Sequence, residues 1–311
     1  MASFSRPGSR LPPRRPDTPG EFVAPTGALR RRGEADVPPA PPAAVAPAAG
    51  EGPAGSRSGP ARHDELKLCG LAAVRARFAR EPGSIKRLFF DQETGQRIGI
   101  ICKVLAREKK VYRQVEPAEL EKISGSLHHG GIVAVVYAPP LRSPTPEDVR
   151  AWAKRGDPLL VLDRIGNAHN LGAVARTAAF LGLPRLVIPD DAAAARPSDA
   201  AYRVAEGGFE HLEVWRVPSL VAFVRDLAAA GYDVVGAATR GGRLGAGPGG
   251  RRGETAAPPV ALVLGNEEQG LAPDVTAACT RLVTIPGSGK VESLNVSVAA
   301  ALLMWELQAK R

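Results

Sequence analysis

The stretch Val260-Ala261-Leu262-Val263-Leu264-Gly265-Asn266-Glu267-Glu268-Gln269-Gly270-Leu271 decides the fold. Its first five residues read as a strong apolar strand, and the glycines that follow bracket a carboxylate just past the strand's end. Working outward, strands and helices alternate through the second half of the chain. Leu159 to Asp163 is a strand followed by a helix from Asn170 to Leu181. Arg185 to Ile188 and Val214-Trp215 are strands, Ser219 to Ala230 a helix, Asp233 to Ala238 and Leu282 to Ile285 strands, and Ser293 to Gln308 the last helix. Such alternation means a mainly parallel sheet covered by helices. Ligands bind these sheets at the carboxyl ends of the strands, so the loops after Leu162, Leu264 and Ile285 matter most.

All three loops carry polar groups that a core would reject. The first runs Asp163-Arg164-Ile165-Gly166-Asn167-Ala168-His169-Asn170-Leu171-Gly172-Ala173-Val174-Ala175-Arg176-Thr177, and the second is the stretch quoted above. The third runs Ile285-Pro286-Gly287-Ser288-Gly289-Lys290-Val291-Glu292-Ser293-Leu294-Asn295-Val296-Ser297, into a helix apolar almost all round that belongs in a core or a subunit interface. Read as ordinary structure, Asn170 is a helix N-cap and Arg176 an exposed salt-bridge partner. Two phosphate-loop lookalikes fail. Gly245-Ala246-Gly247-Pro248-Gly249-Gly250 fits G-x-G-x-x-G but leads into Arg251-Arg252-Gly253 and Pro258-Pro259 instead of a helix, and Gly287-Ser288-Gly289-Lys290 is followed by Val291 where a P-loop needs Ser or Thr.

The chain has 311 residues, long enough for about two domains. Residues 62–140 read as a small α/β unit, with helices at Leu71 to Phe78, Arg97 to Arg107 and Pro117 to Lys122, and strands at Ile85 to Phe90, Val111 to Arg113 and Ile132 to Tyr137. His128-His129-Gly130-Gly131 reads as a turn. Of the net charge of +9, the largest part falls here, 14 basic residues against 9 acidic, which fits a polyanion such as RNA. Residues 1–60 hold 13 of the 29 prolines and few core-forming side chains, which predicts a disordered tail. No apolar run approaches the roughly 18 residues of a membrane span, and no secretory leader is evident, so a cytoplasmic protein is expected. Cys69, Cys102 and Cys279 stand far apart without a Cys-x-x-Cys, which predicts reduced, mostly buried thiols and no metal site.

Together the three loop segments resemble the sequence motifs of the SpoU/TrmH branch of the SPOUT methyltransferases over about residues 157–311. Residues 63–138 are similar to the small ribosomal-protein-like substrate-binding domain that precedes the catalytic domain in many members. His128-His129-Gly130-Gly131, Ala205-Glu206-Gly207-Gly208 and the Pro-rich leader are similar to the YfiF-like tRNA/rRNA methyltransferases within that branch. The resemblance implies an α/β fold whose C-terminal segment is threaded into a deep trefoil knot, an exception to the rule against knots. It implies S-adenosylmethionine as cofactor, RNA (tRNA or rRNA) as partner, a homodimer, and methyl transfer to a ribose 2′-hydroxyl. The implied divisions are a tail over 1–62, an RNA-binding domain over 63–138, a linker over 139–156 and the methyltransferase domain over 157–311.

The residues that match the motifs are Asn170 and Arg176 in the first, Gly265 and Glu267 in the second, and Ile285, Ser293, Leu294 and Asn295 in the third. The resemblance implies that backbone groups at Gly265, Ile285 and Leu294, with Asn295, hold the cofactor. It places Arg176, Asn170, Glu267, Ser293 and Asn295 around the reaction. A guanidinium is a poor base, so Arg176 is expected to grip a phosphate and stabilise the developing alkoxide, with Asn170 and Asn295 fixing its orientation. Glu267 is expected to anchor the loops, and Ser293 to cap the last helix or touch substrate. Arg75, Arg77, Arg80, Lys86 and Arg87 are the expected phosphate contacts. Three other readings stay open at this stage: a knotted RNA-binding protein without catalysis, an RNA base methyltransferase, and, on fold analogy alone, a dinucleotide-dependent oxidoreductase.

Overall fold

A computed structural model describes residues 65–244 and 258–309. The expected tail and the G-x-G-x-x-G lookalike lie outside the described residues.

The first part is a four-stranded unit built from β1 (Glu65–Cys69), α1 (Leu71–Arg80), β2 (Ile85–Phe90), α2 (Gln92–Gly95), α3 (Gly99–Arg107), β3 (Val111–Gln114), α4 (Pro117–Ser124) and β4 (Ile132–Tyr137). The strand order is β1-β4-β2-β3, with β4 antiparallel to both neighbours and β2 parallel to β3. Strand β4 is central, and Ile132 to Val136 are all buried. The His128 to Gly131 segment is the turn that sets it in register. Gly70 N–H donates to His129 O at 3.0 Å, and Asp91 N–H donates to Gly131 O at 2.9 Å. Gly131 has φ +75, and a Cβ there would lie 2.4 Å from Thr94 Oγ1, so only glycine fits.

The second part contains α5 (Pro146–Arg155), β5 (Leu159–Leu162), α6 (Ala168–Phe180), β6 (Arg185–Pro189), α7 (Asp199–Ala205), β7 (Glu213–Val217), α8 (Leu220–Ala229), β8 (Asp233–Ala237), β9 (Arg243–Leu244), β10 (Val260–Leu264), α9 (Pro273–Ala278), β11 (Arg281–Thr284) and α10 (Val296–Ala309). Its seven strands are parallel throughout, in the order β7-β6-β5-β10-β8-β11-β9. The α/β fold class expected from the alternation of strands and helices is the one observed. Because strand side chains alternate, Leu160, Leu162, Leu262 and Leu264 face α6, α7 and α10, while Leu159, Val161, Ala261 and Val263 face α5, α8 and α9. Strand β10, late in the chain, sits between β5 and β8, and order runs away from the β5/β10 pair in both directions. The carboxyl ends of β5 and β10 therefore flank the crevice where ligands bind such sheets.

Residues 139–156, expected as linker, contain α5. Thr145 and Asp148 form a reciprocal capping box at its start, and Val149 and Trp152 are buried in the core. The four-stranded unit packs on the α6/α7 layer, and one apolar core runs through both. Lys67 N–H donates to Asp199 Oδ1 at 2.9 Å, and Arg77 pairs with Glu210, its Nη2 donating to Oε1 at 2.9 Å. This corrects the expectation for Arg77. The side chain is 2 % exposed and held by a fully buried carboxylate, so it is a structural ion pair and not a phosphate contact. Cys69 is buried, Cys102 and Cys279 are partly so, and burial pushes all three thiols up, Cys279 to about 11. Among the described residues no helix is long and apolar enough to cross a membrane.

Candidate active site

Helix α6 starts immediately beyond β5 because Asn167 caps it, its Oδ1 accepting from His169 N–H at 2.8 Å and from Asn170 N–H at 3.4 Å. The cap is thus Asn167, and the Asn170 amide is free for other work. It donates from Nδ2 to the Glu267 carboxylate, beyond β10, and accepts at Oδ1 from Asn295 Nδ2 at 3.1 Å, beyond β11. Asn295 Oδ1 in turn accepts from Ser297 N–H at 2.9 Å and Ser297 Oγ at 2.6 Å. One chain of hydrogen bonds therefore ties the ends of three strands together. Asn295 takes the capping place on α10 that Ser293 was expected to fill. Ser293 is exposed and makes no side-chain hydrogen bond among the described residues.

The β10 loop is folded back on itself. Asn266 and Gly270 exchange backbone hydrogen bonds of 3.0 and 2.9 Å, and Asn266 Oδ1 accepts from Glu268 N–H and Gln269 N–H. Gly265 lies so close to the returning strand that a Cβ there would be 2.2 Å from Gly270 C and 2.3 Å from Leu271 N. The loop is fastened to the β5 loop by Asp163, 2 % exposed, whose carboxylate accepts from Arg164 Nε at 2.9 Å and Ala272 N–H at 2.7 Å. Asn266 Nδ2 adds a donor to Arg164 O at 2.9 Å. Asp163, Arg164 and Asn266 lie inside the quoted motifs, but their fastening role was not read from the sequence. The signal was available: a charged residue directly after an apolar strand must find a partner when it is buried.

Arg176 stands apart from this cluster. Six residues beyond Asn170 on α6, it is about 9 Å further along the axis and on another face. Its guanidinium Nη1 lies 2.9 Å from Glu206 Oε1, both side chains being more than half exposed. Among the described residues neither Asn170 nor Asn295 hydrogen-bonds to it and its partner is Glu206, which corrects the expectation that the asparagines hold it. Ile285 packs partly against the core, and Leu294 is half exposed on the segment entering α10. Of the remaining expected phosphate contacts, Arg75 Nη2 donates to Arg97 O at 2.9 Å. Lys86 and Arg87 share Glu65, and Arg80 Nη1 donates to Glu210 O at 3.0 Å.

A family model described as the SpoU rRNA Methylase family matches residues 157–305, and one described as RNA 2′-O ribose methyltransferase substrate binding matches residues 67–141. The chain is 35% identical over 250 residues to the uncharacterized tRNA/rRNA methyltransferase YfiF of Escherichia coli O157:H7, which covers 79% of this chain and 68% of that one. It is 32% identical over 240 residues to the 23S rRNA (guanosine-2′-O-)-methyltransferase RlmB of Nitrosomonas europaea, covering 77% and 89%. The chain belongs to the SpoU methylase family. Among solved structures, that of the SpoU methyltransferase AviRb from Streptomyces viridochromogenes in complex with AdoMet is 26% identical, with a TM-score of 0.58, covering 81% of this chain and 92% of that one.

The SpoU cofactor fits the residues present. No hydrogen bond among the described residues engages the backbone N–H or C=O groups of Gly265, Ile285 or Leu294. Unpaired backbone groups at adjoining strand ends suit the edges of an adenosyl group. The glycine at 265 is what lets the chain at Gly270 and Leu271 close against the end of β10, a contact any side chain would break.

Proposed function

We propose that this protein is an S-adenosylmethionine-dependent RNA methyltransferase that modifies a ribose 2′-hydroxyl of tRNA or rRNA. The observation that carries the reading is the Glu267–Asn170–Asn295 chain of hydrogen bonds, which closes three strand ends around the Gly265 cradle. The cofactor supplies an electrophilic methyl group. Gly265, Ile285 and Leu294 bind it through backbone groups, and Asn295, fixed by Ser297 and Asn170, orients the loop beside it. Glu267 anchors that loop through Asn170. Arg176, accessible on α6, takes a phosphate next to the target ribose and lowers the cost of charge on the attacking oxygen. Most of the rate comes from placing that oxygen in line with the methyl group.

RNA is drawn to the four-stranded unit, where Arg75, Lys86 and Arg87 face solvent at least in part. Arg77 belongs to the packing against Glu210, whereas Arg80 is exposed while its Nη1 donates to backbone carbonyls of residues 209–212. We further propose a homodimer. On α10, Val298, Leu302 and Trp305 recur at helical spacing and stay 47%, 47% and 64% exposed, an apolar stripe of the kind a subunit interface covers. A cytoplasmic setting accords with reduced thiols and an RNA substrate.

The test is incubation of the protein with labelled S-adenosylmethionine and total RNA from a strain lacking the gene, followed by nucleoside mass spectrometry. A new 2′-O-methylnucleoside is the expected result. A methylated base would move the reaction to a ring nitrogen, and cofactor binding without transfer would leave an RNA-binding protein.

A further inference from the structure

The six residues Ala205 to Glu210 touch both the four-stranded unit and the helix that carries Arg176. Glu206 closes α7 with a left-handed φ of +45, a place that glycine or asparagine ordinarily fills, so a glutamate there carries backbone strain. Its carboxylate reaches Arg176, with Oε1 and Nη1 2.9 Å apart. Gly208 backs onto the same turn of α6, and a Cβ on it would lie 2.9 Å from Arg176 Cα and 3.0 Å from Ala175 O. Gly207, with φ +93, backs onto α1, where a Cβ would lie 3.2 Å from Ala73 Cα. Glu210 takes Arg77 in the buried pair, and at the other end of α7 Asp199 accepts from Lys67 N–H at 2.9 Å. The segment that holds Arg176 is thereby clamped to the unit expected to dock RNA.

The side chains of Arg176 and Glu206 are 55% and 60% exposed. An ion pair so open to water is weak and exchangeable. A phosphate offers the same guanidinium a bidentate, charge-assisted contact, which is the better partner when RNA is present.

We propose that Glu206 is a positioning residue that holds Arg176 in the place of an RNA phosphate, and that the arginine passes from carboxylate to phosphate as RNA docks. This rests on the reading of Arg176 as an RNA contact given above. The consequence is selectivity. A phosphate that arrives without engaging the four-stranded unit meets an arginine already paired, whereas docked RNA presents its phosphate at high effective concentration.

The experiment is a double-mutant cycle of Glu206→Gln and Arg176→Ala in the full chain, with fluorescence anisotropy on bulk tRNA and rRNA, and with kcat and KM where turnover is measurable. Glu206→Gln should bind RNA about two- to five-fold tighter and lower KM by the same factor, the range set by an exposed ion pair. Its kcat should stay within about two-fold, and in the Arg176→Ala background the gain should vanish. Glu206→Gly, which removes the carboxylate and the strained φ together, should behave as Glu206→Gln does. An equal gain in the Arg176→Ala background would reduce the effect to general charge, and a fall in kcat at unchanged KM would make Glu206 part of the reaction. Unchanged affinity would leave the pair without a role, and any of these three overturns the proposal. Absence of methyl transfer by the wild type, with the binding cycle as expected, would instead sink the function and leave the Glu206–Arg176 exchange standing.

Discussion

Arg176 offers a planar fork of N–H donors, so its use is to bind and to stabilise, not to remove a proton. Replacing it with alanine should lower kcat/KM for RNA by about 10²–10³-fold, the loss typical of a removed oxyanion-type contact, while leaving cofactor affinity within about three-fold. Isothermal titration with S-adenosylmethionine beside single-turnover methylation separates the two. Loss of cofactor binding would place the side chain in the cofactor site instead. Asn170, Glu267 and Asn295 were legible through the motif resemblance, on loops that the carboxyl edge of a parallel sheet brings together. The bonds between them were not legible, since Asn170 meets partners 97 and 125 positions away. Arg77 was misread for the same reason. A helix face shows its charge, but the carboxylate that buries it lies 133 positions on.

Hydrophobic period carried the long elements. β4, β5, β10, α6 and α8 are where alternation or apolar runs put them, because burial enforces the pattern over several residues. Short elements escaped: α2, α7 and α9 have four, seven and six residues, too few for a period to build up. α5 was hidden by the prolines around it, although Thr145 and Asp148 at capping-box spacing announced it. Helix α10 reads as apolar on every side because its buried face and much of its exposed face are both apolar. Val296, Ala300, Leu303 and Met304 are buried against the sheet layer, and Val298, Leu302 and Trp305 face outward. Leu302→Asp with Trp305→Asp should therefore convert a dimer to a monomer in size-exclusion chromatography with light scattering, with the far-ultraviolet dichroism kept. A protein already monomeric as wild type would refute the proposed interface.

At the scale of the molecule, one continuous core and one buried ion pair make the four-stranded unit and the seven-stranded half a single packing problem. Arg77→Met should cost about 3–5 kcal/mol in urea unfolding, because Glu210 is left charged and dry. Pairing it with Glu210→Leu should recover much of that loss. Burial pushes the Glu210 carboxyl up even with Arg77 beside it. A raised folded-state value means that the group's contribution is present in acid and is lost as pH rises through that value. The deficit of Arg77→Met should accordingly be largest near neutral pH and shrink toward pH 4–5, whereas a pH-independent deficit would trace the loss to packing alone. The place of β10 bears on how the chain comes to exist. The ribosome delivers β5, β6 and β8 well before β10, so the growing sheet must wait with its central position vacant, and Leu160, Val161, Val234 and Val235 are left as facing unpaired edges. Glu267 and Asn295, which follow β10 along the chain, are also the residues that close the site. A chain that stops before β10 therefore lacks the site as well as the strand that covers those edges, and is prone to aggregate.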